Sequence, residues 1–265
     1  GNGPGEMFSC ALGLHSNASD NFYLQDPNSK TCYIVDLKTL LNSRKFVPDE
    51  QFRYSSEVLP TSDLCLLDDN RYIGYHMWYL DDKQFSKVDS PIGYYQKGED
   101  SGKGMDDFPF FVASVNGARL FKNPQTQELW TADMHRDAIR IYNDSLKQIR
   151  ELVGPDHFSP EYTRRQIDAP VAFVTFADEC DYHAYTDYYI TDKHIYLVYE
   201  GNKHFDMKNL SPVEIFKLDF DGNLLCNYKL DRYVYSISIN RKEDTLYCAS
   251  RPSVMEPPVI LKYKL

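Results

Sequence analysis

The residues best suited to chemistry form a short acidic segment in the second half of the chain, Asp178-Glu179-Cys180-Asp181-Tyr182-His183. In an extended strand, alternate side chains point to the same face, so Glu179, Asp181 and His183 would share one side. Two carboxylates and an imidazole placed in this way could hold a divalent metal ion or carry out acid-base catalysis. The same pattern also fits an exposed loop followed by a polar strand edge, and we prefer this more ordinary interpretation.

His76 and His135 are the other candidate ligands, because both come late in the second strand of a repeated unit, beside aromatic or acidic neighbours. A two-histidine metal site requires the two side chains to converge, which sequence spacing does not show. We therefore favour structural or surface roles for both residues. A divalent metal ion is the one cofactor that these candidates would allow, and the sequence requires none.

Other catalytic arrangements have less support. The paired acids Asp68-Asp69 and Asp81-Asp82 precede Asn70 and Lys83 and are typical of hairpin turns. A glycosidase requires two carboxylates across one cleft, and nothing in the spacing places a pair there. The sequence contains no Gly-x-Ser-x-Gly, His-Glu-x-x-His or phosphate-loop motif, so the enzyme classes that depend on those motifs lose support.

Composition argues against some partners. The formal net charge is −10, from 29 basic and 39 acidic side chains. The surface as a whole therefore repels a phosphate backbone, and nucleic acid is not an expected partner. No apolar run approaches the roughly 18 residues of a transmembrane helix, and the chain begins without a basic and then apolar leader. We expect no transmembrane segment, and the residues alone leave the cellular compartment open.

The cysteines lie far apart and form no C-x-x-C pair of the kind found in zinc or redox centres. Several have apolar neighbours, as in Leu64-Cys65-Leu66-Leu67, so we expect them to be small buried side chains within strands. A disulfide between neighbouring strands is the alternative. The six residues are Cys10, Cys32, Cys65, Cys180, Cys226 and Cys248.

The elements that would position these residues are predicted by an internal repeat. Short strands with a central aromatic residue recur along the chain, at successive spacings of 49, 58, 66 and 51 residues. A unit that recurs about every 40 to 50 residues is typical of a β-propeller or a similar array. The central aromatic residues are Tyr23, Tyr72, Trp130, Tyr196 and Tyr247.

A further strand with alternating apolar residues follows most of these aromatic strands. The period of two indicates a strand that is buried on one face. Asp221-Gly222 supplies turn chemistry before another strand at Leu224–Leu230. Only Lys38–Arg44 and Asp144–Val153 could form a helical turn or two, so an α/β fold with parallel strands is disfavoured. The alternating strands are Thr31–Leu37, Ala138–Tyr142, Val213–Leu218 and Val259–Tyr263.

We predict an all-β fold, a single β-propeller domain over residues 1–265 built from four-stranded antiparallel blades, about five in this chain. The last unit has only three candidate strands. Propellers close by taking a missing strand from the other terminus, and no strand before Met7 is left to supply it. The predicted units are 7–57, 58–105, 106–169, 170–230 and 231–265.

Four segments resemble the TolB-like six-bladed propeller family, proteins predicted as cell-envelope lipoproteins of gut-type Gram-negative bacteria. They are similar to its Gly-x-Gly-Pro-Gly-Glu-Phe, DLxxLLN, Y-x-T-D-K-x-I-Y and DG-x-x-x-x-x-Y-x-L-D patterns. The resemblance spans nearly the whole chain and implies six blades, an envelope location and a lipid anchor in the precursor. In the family the glycine-proline segment follows the first blade, so we expect that this chain lacks that blade. The alternative is an open or five-bladed ring. The segments are Gly1–Met7, Asp36–Asn42, Tyr185–Tyr196 and Phe220–Asp231.

Two functions fit these observations. The repeat, the resemblance and aromatic segments such as Tyr94-Tyr95 favour a non-enzymatic binding or scaffold protein of the cell envelope, with a protein, peptide or glycan partner. The alternative is a hydrolase or lyase with a metal ion or paired acids at the mouth of the central channel. Glu179, Asp181 and His183 motivate that alternative, and we prefer the binding protein.

Overall fold

The structure, a computed structural model, describes residues 13–16, 21–26, 31–43, 48–53, 61–68, 71–76, 83–89, 92–97, 117–160, 162–166, 172–176, 182–201, 206, 208–253 and 255–265. These residues form six antiparallel sheets and one short helix. The chain divides into two compact units, Gly1–Ser114 with Leu120–Lys122, and Val115–Arg119 with Asn123–Leu265. The single domain of the sequence analysis stays a prediction.

The first unit contains two four-stranded sheets whose strands lie in chain order. The first strands of the two sheets contact each other, as the inner strands of neighbouring propeller blades do. One sheet consists of β1 (Gly13–Ser16), β2 (Asn21–Asp26), β3 (Thr31–Asp36) and β4 (Glu50–Arg53). The other consists of β5 (Thr61–Asp68), β6 (Arg71–His76), β7 (Lys83–Asp89) and β8 (Ile92–Lys97).

The helix α1 (Leu37–Ser43) lies between β3 and β4 and begins after a capping residue. Asp36 Oδ1 accepts a hydrogen bond from the backbone N–H of Thr39 at 2.7 Å, the usual arrangement at a helix N-terminus. That bond lowers the pKa of the Asp36 carboxyl. This helix covers the described part of Lys38–Arg44, where the sequence allowed a helical turn or two. In the described part of the chain, no helix is long and apolar enough to cross a membrane.

The strands from residue 118 onward form two four-stranded sheets, a two-stranded sheet and a three-stranded sheet. The first of these sheets consists of β9 (Ala118–Lys122), β10 (Leu129–Asp133), β11 (Ala138–Tyr142) and β12 (Gln148–Val153). A hairpin of β13 (Tyr162–Gln166) and β14 (Ala172–Phe176) follows. The next sheet consists of β15 (Tyr185–Ile190), β16 (Ile195–Tyr199), β17 (Glu214–Leu218) and β18 (Leu224–Lys229). The last consists of β19 (Val234–Ile239), β20 (Thr245–Ser250) and β21 (Val259–Lys264).

The predicted repeat corresponds to the sheets. All five central aromatic residues lie in the second strand of a sheet, and the alternating strands are third strands. The predicted fold class, antiparallel blades of four strands, is confirmed by this arrangement. The second strands are β2, β6, β10, β16 and β20, and the third strands predicted by alternation are β3, β11, β17 and β21.

Three details differ from the prediction. The unit boundary expected at 169/170 falls between β13 and β14, which pair with each other as a separate hairpin. The helical turn that the sequence allowed over Asp144–Val153 does not form, because β12 pairs there with β11 to complete the sheet. All five residues of β11 are buried, so this strand is covered on both faces and not on one.

One buried apolar cluster of the second unit lies between β16 and β17 on one side and β19 and β20 on the other. Cys248 belongs to this core, and Cys32 is buried in the first unit. Burial raises the pKa of each thiol to about 12. Cys65 and Cys226 are half-buried thiols. Cys10 and Cys180 lie outside the described residues, so the disulfide alternative stays open for them.

Candidate functional site

Three connecting segments bring polar side chains together at one end of neighbouring sheets in the second unit. We call His135, His183 and Glu200 the His–Glu cluster. His135 lies in the β10–β11 connection, His183 lies two residues before β15, and Glu200 directly follows β16. In an antiparallel pair the start of one strand lies beside the end of the next, so β15 and β16 present His183 and Glu200 at the same end.

Backbone hydrogen bonds hold these segments in place. The N–H of Met134 donates to the carbonyl of Gly117 at 2.7 Å, and the N–H of Ala184 donates to the carbonyl of Met134 at 2.7 Å. The N–H of Glu200 then donates to the carbonyl of Ala184 at 2.8 Å. Each cluster residue therefore lies within one position of a fixed backbone contact. A site held by such bonds is organised before any ligand arrives.

The two imidazoles of the cluster pack edge to face. Their ring centroids are 5.2 Å apart and the planes make an angle of 77°. His135 Nδ1 lies 3.2 Å from the carbonyl oxygen of Tyr182. His183 Nδ1 lies 3.5 Å from Glu200 Oε2. Both rings are thus oriented through Nδ1, one by a backbone carbonyl and the other by a carboxylate.

Glu200 is the most deeply placed member of the cluster, with 8% of its surface exposed. Its Oε1 atom is buried and has no hydrogen-bond partner among the described residues. Tyr233, directly before β19, approaches the same carboxylate: burial, the negative charge of Glu200 and a hydrogen bond to it raise the pKa of the Tyr233 hydroxyl. A buried carboxylate oxygen without a partner is costly, and a bound ligand or ion is one explanation for its presence.

The β10–β11 connection that carries His135 is fixed at both of its ends. The buried Asp133 carboxylate lies 3.0 Å from Arg136 Nη1 and 3.2 Å from Arg140 Nη2. Asp137 Oδ2 accepts hydrogen bonds from the backbone N–H groups of residues 156 and 157 at 2.6 and 2.8 Å. These bonds tie the connection to the segment that follows β12 and limit the positions open to His135.

Asp137 also receives a side-chain hydrogen bond from the next sheet. The hydroxyl of Tyr185, the first residue of β15, donates to Asp137 Oδ1 at 3.1 Å. Burial, and then the negative charge of Asp137, raise the pKa of Tyr185, so its hydroxyl keeps the proton that it donates. In the same way the Tyr199 hydroxyl donates to Asp156 Oδ2 at 2.9 Å. The two sheets that form the cluster are therefore joined beside it.

Comparison with known proteins agrees with this architecture. A sequence model of the TolB-like 6-blade propeller-like family matches residues 1–242. The chain belongs to the TolB-like 6-blade propeller-like family. No curated protein sequence matches the chain significantly. The family resemblance that the sequence motifs indicated is confirmed.

Solved structures that resemble this TolB-like chain share its fold at low identity. A DUF4221-family protein from Bacteroides vulgatus has 10% identity and a TM-score of 0.56, with 100% of this chain and 81% of that one covered. Hydrazine synthase from Kuenenia stuttgartiensis has 10% identity and a TM-score of 0.51, with 97% and 59% covered. The WD40 domain of Pan2 from Neurospora crassa has 7% identity and a TM-score of 0.50, with 91% and 58% covered. Such similarity shows the fold alone.

The structure of this TolB-like chain brings together only some of the residues predicted as a site. His135 and His183, chosen from separate motifs, lie ring against ring. His183 precedes β15 and is not part of the strand on which it was expected. Glu179 and Asp181 lie outside the described residues. His76 is the last residue of β6, and its backbone pairs with Thr61.

Sequence reasoning missed Glu200, Tyr233 and Asp137. Glu200 had one available signal, because it is the first charged residue after the five apolar residues of β16. Asp137 directly precedes β11 and Tyr233 directly precedes β19, but their spacing in the sequence does not indicate which residues they contact. Among the described residues, no group of three His, Cys, Asp or Glu side chains is arranged to hold a metal ion.

Proposed function

We propose that this chain is a non-enzymatic binding protein of the cell envelope, and that its His–Glu cluster contacts a protein, peptide or glycan partner. The observation that supports this function most directly is the assembly of the cluster from connecting segments of successive sheets, held by backbone hydrogen bonds. Binding residues are commonly found on connections that a rigid scaffold positions. The cluster has both parts of that arrangement.

The neighbouring side chains add recognition chemistry. Arg251 directly follows β20 and its guanidinium lies 5.0 Å from the ring centroid of Tyr235. The β19 register shifts between Val234 and Ser236, so Tyr235 occupies a bulge. Bulges redirect side chains beside functional sites, and aromatic rings with a polar neighbour are frequent at binding surfaces. These groups offer stacking area, donors and acceptors to one partner.

Family membership supports the envelope location. The motifs resemble proteins predicted as envelope lipoproteins, and one structural neighbour comes from Bacteroides vulgatus. Fractionation of cells that express the full-length protein tests this part of the proposal. Recovery in the envelope fraction is expected, and recovery only in the cytosol would contradict it.

Binding is tested by screening the protein against arrays of peptides and oligosaccharides and measuring each positive by calorimetry. Glu200→Gln and His183→Ala should weaken the binding of a true ligand by about tenfold or more, because the first removes a buried negative charge and the second removes a half-buried imidazole. The control Asp221→Asn, in the exposed β17–β18 turn, should bind as the wild type does. A ligand that binds both cluster variants normally would exclude the cluster as its site. Turnover of a small substrate, lost in the cluster variants, would favour a hydrolase or lyase.

A further inference from the structure

Side chains link the first strands of the three sheets that surround the candidate site. Each of these strands, β9, β15 and β19, lies at one end of the strand order of its sheet. The backbone groups along such an edge require partners other than a neighbouring strand. Arg119 in β9 donates from Nε to the carbonyl of Thr186 in β15 at 2.7 Å. Asp187 in β15 accepts, through Oδ2, the backbone N–H of Ile237 in β19 at 2.8 Å.

A β-bulge places the Asp187 side chain at this junction. The register of β15 shifts between Tyr185 and Asp187. The registers of β5 and β19 shift at the same place, directly after the first residue of the strand. A bulge turns a side chain out of the regular alternation of a strand, and in β15 the redirected carboxylate reaches the edge of β19. The recurrence in three first strands indicates a built feature of these sheets.

The Asp187 carboxylate has partners on both sides of its own sheet. Burial raises the pKa of Asp187, whereas the bond from the Ile237 N–H, the positive charge of Arg119 and a bond from the Ser236 side chain lower it. Ile237 and Ser236 belong to β19, and Arg119 belongs to β9. One side chain therefore interacts with the first strands of two other sheets.

The bond between Asp187 and Ile237 aligns β15 with β19. These strands contact each other and run in the same direction, because a hydrogen bond also joins the turns that follow them. His183 lies four positions before Asp187, and Tyr233 lies four positions before Ile237. The bond therefore brings the beginnings of both strands to the same level. From there His183 faces Glu200, and Tyr233 forms a hydrogen bond to the same carboxylate.

We propose that Asp187 is a positioning residue of the candidate site, which holds β19 against β15 and thereby keeps the Tyr233 hydroxyl on the Glu200 carboxylate. Removal of the Asp187 carboxylate would leave the Ile237 N–H without its acceptor. The apolar cluster between the two sheets would remain, but β19 would lose its fixed point beside the site. The importance of this position for ligands rests on the proposed function, whereas the position itself can be measured on the protein alone.

The ionisation of Tyr233 reports its position, because burial, the negative charge of Glu200 and the bond to that carboxylate raise the pKa of the hydroxyl. Carbon-13 NMR of labelled tyrosine follows this ionisation, with Tyr233→Phe to assign the resonance. The wild-type hydroxyl should remain protonated at about pH 11, above the ordinary tyrosine pKa of about 10. In Asp187→Ala it should ionise near that ordinary value. Asp187→Asn, which keeps an oxygen acceptor for the Ile237 N–H, should titrate as the wild type does.

Asn123→Ala is the matched control. Asn123 Nδ2 donates to the carbonyl of Phe220 at 2.7 Å in another buried link between sheets, at the other end of β9 from the site. This variant should lose stability and leave the Tyr233 titration unchanged. The positioning role is wrong if Asp187→Ala titrates as the wild type does, or if Asn123→Ala lowers the Tyr233 pKa as much as Asp187→Ala does.

Circular dichroism at the pH of the titration establishes whether each variant is folded. If Asp187→Ala unfolds in alkali, nuclear Overhauser contacts between the Tyr233 ring and the Glu200 side chain at neutral pH replace the titration. Contacts that disappear in Asp187→Ala and persist in Asp187→Asn support the positioning role, and contacts that persist in both overturn it.

The positioning role and the binding function fail in different ways. If Tyr233 leaves Glu200 in Asp187→Ala but no peptide or oligosaccharide ligand depends on the cluster, the positioning role stands and the binding function is wrong. If a ligand depends on the cluster and Tyr233 stays on Glu200 in Asp187→Ala, the binding function stands and the positioning role is wrong.

Discussion

Glu243 accepts hydrogen bonds from several parts of the neighbouring sheet. It lies in the β19–β20 turn, and its carboxylate receives bonds from the hydroxyl of Thr191, from Tyr196 at 3.1 Å and from Lys217 Nζ at 3.3 Å. His194 Nδ1 lies 2.5 Å from the same carboxylate. Burial alone would raise the pKa of Glu243, but the bonds from Thr191, His194 and Lys217 outweigh it and lower the pKa to about 2.

Glu243→Gln should lower the free energy of unfolding at pH 7 by about 1–3 kcal/mol, because the buried donors lose a charged acceptor. An unfolded glutamic acid has a pKa of about 4.3. The folded pKa is lower, so the stabilisation is complete above pH 4.3 and disappears as the pH falls towards 2. Urea unfolding at pH 7 and between pH 4.5 and 3 measures both effects.

The two proteins should converge in stability as the pH falls through that window. Asp221→Asn, which changes an exposed carboxylate in another turn, should follow the wild type at every pH. A constant difference between Glu243→Gln and the wild type from pH 7 to pH 3 would show that the charge of Glu243 does not stabilise the fold.

Gly154 lies where no larger residue fits. A Cβ atom at this position would be 1.8 Å from Asp137 Oδ1 and 2.6 Å from Tyr185 Oη. Gly154→Ala should therefore displace the Asp137 carboxylate and cost about 1–3 kcal/mol, measured by thermal unfolding. Ser159→Ala, at an exposed position close by, should change stability by less than about 0.5 kcal/mol. Equal stability of the two variants would contradict the observed packing around Asp137.

At the scale of the elements, three hairpin turns share the same hydrogen-bond pattern and backbone conformation. Asn143, Asp219 and Asn240 each begin a turn, and the side-chain oxygen of each accepts backbone N–H groups two to five residues later. The residue three positions later donates its N–H to the carbonyl of the first residue. That residue has a positive φ in each turn: 61° at Leu146, 88° at Gly222 and 56° at Glu243. Only the Asp-Gly turn could be recognised from the sequence, because the other two turns place a side chain where glycine is usual.

Substitutions at two turn residues with positive φ, Gly222 and Gln127, should shift stability in opposite directions. Gly222→Ala should destabilise by about 1–2 kcal/mol, since its φ of 88° disfavours a side chain and the new Cβ would lie 2.6 Å from Leu152 Cδ1. Gln127→Gly, at an exposed position with a φ of 64°, should stabilise by up to about 1 kcal/mol. Chemical denaturation measures both variants. A change of the same sign in the two would contradict the backbone explanation.

At the scale of the whole molecule, much of the fold could be predicted because its signals are local. An aromatic residue at the centre of an apolar run marks the second strand of five sheets. The β13–β14 hairpin was missed although Phe173 lies between the apolar residues Ala172 and Val174 in β14, because β13 is mostly polar. The hairpin lies within the longest spacing, the 66 residues from Trp130 to Tyr196. A spacing that exceeds the others was the available sign of an extra element.

The candidate site was predictable only in part. The types of His135 and His183 marked them as candidates, but 48 residues separate them and their contact depends on how one sheet meets the next. Glu200 and Asp137 obtain their roles from partners in other segments. Sequence patterns indicate burial and turns, whereas contacts between connecting segments follow from tertiary packing.

The most direct test of the candidate site is a crystal structure of the protein that resolves the His–Glu cluster. The predicted result is that the rings of His135 and His183 pack edge to face with centroids 5.2 Å apart, and that Glu200 faces Nδ1 of His183. Imidazoles that lie apart, or a Glu200 carboxylate that faces away from His183, would contradict it.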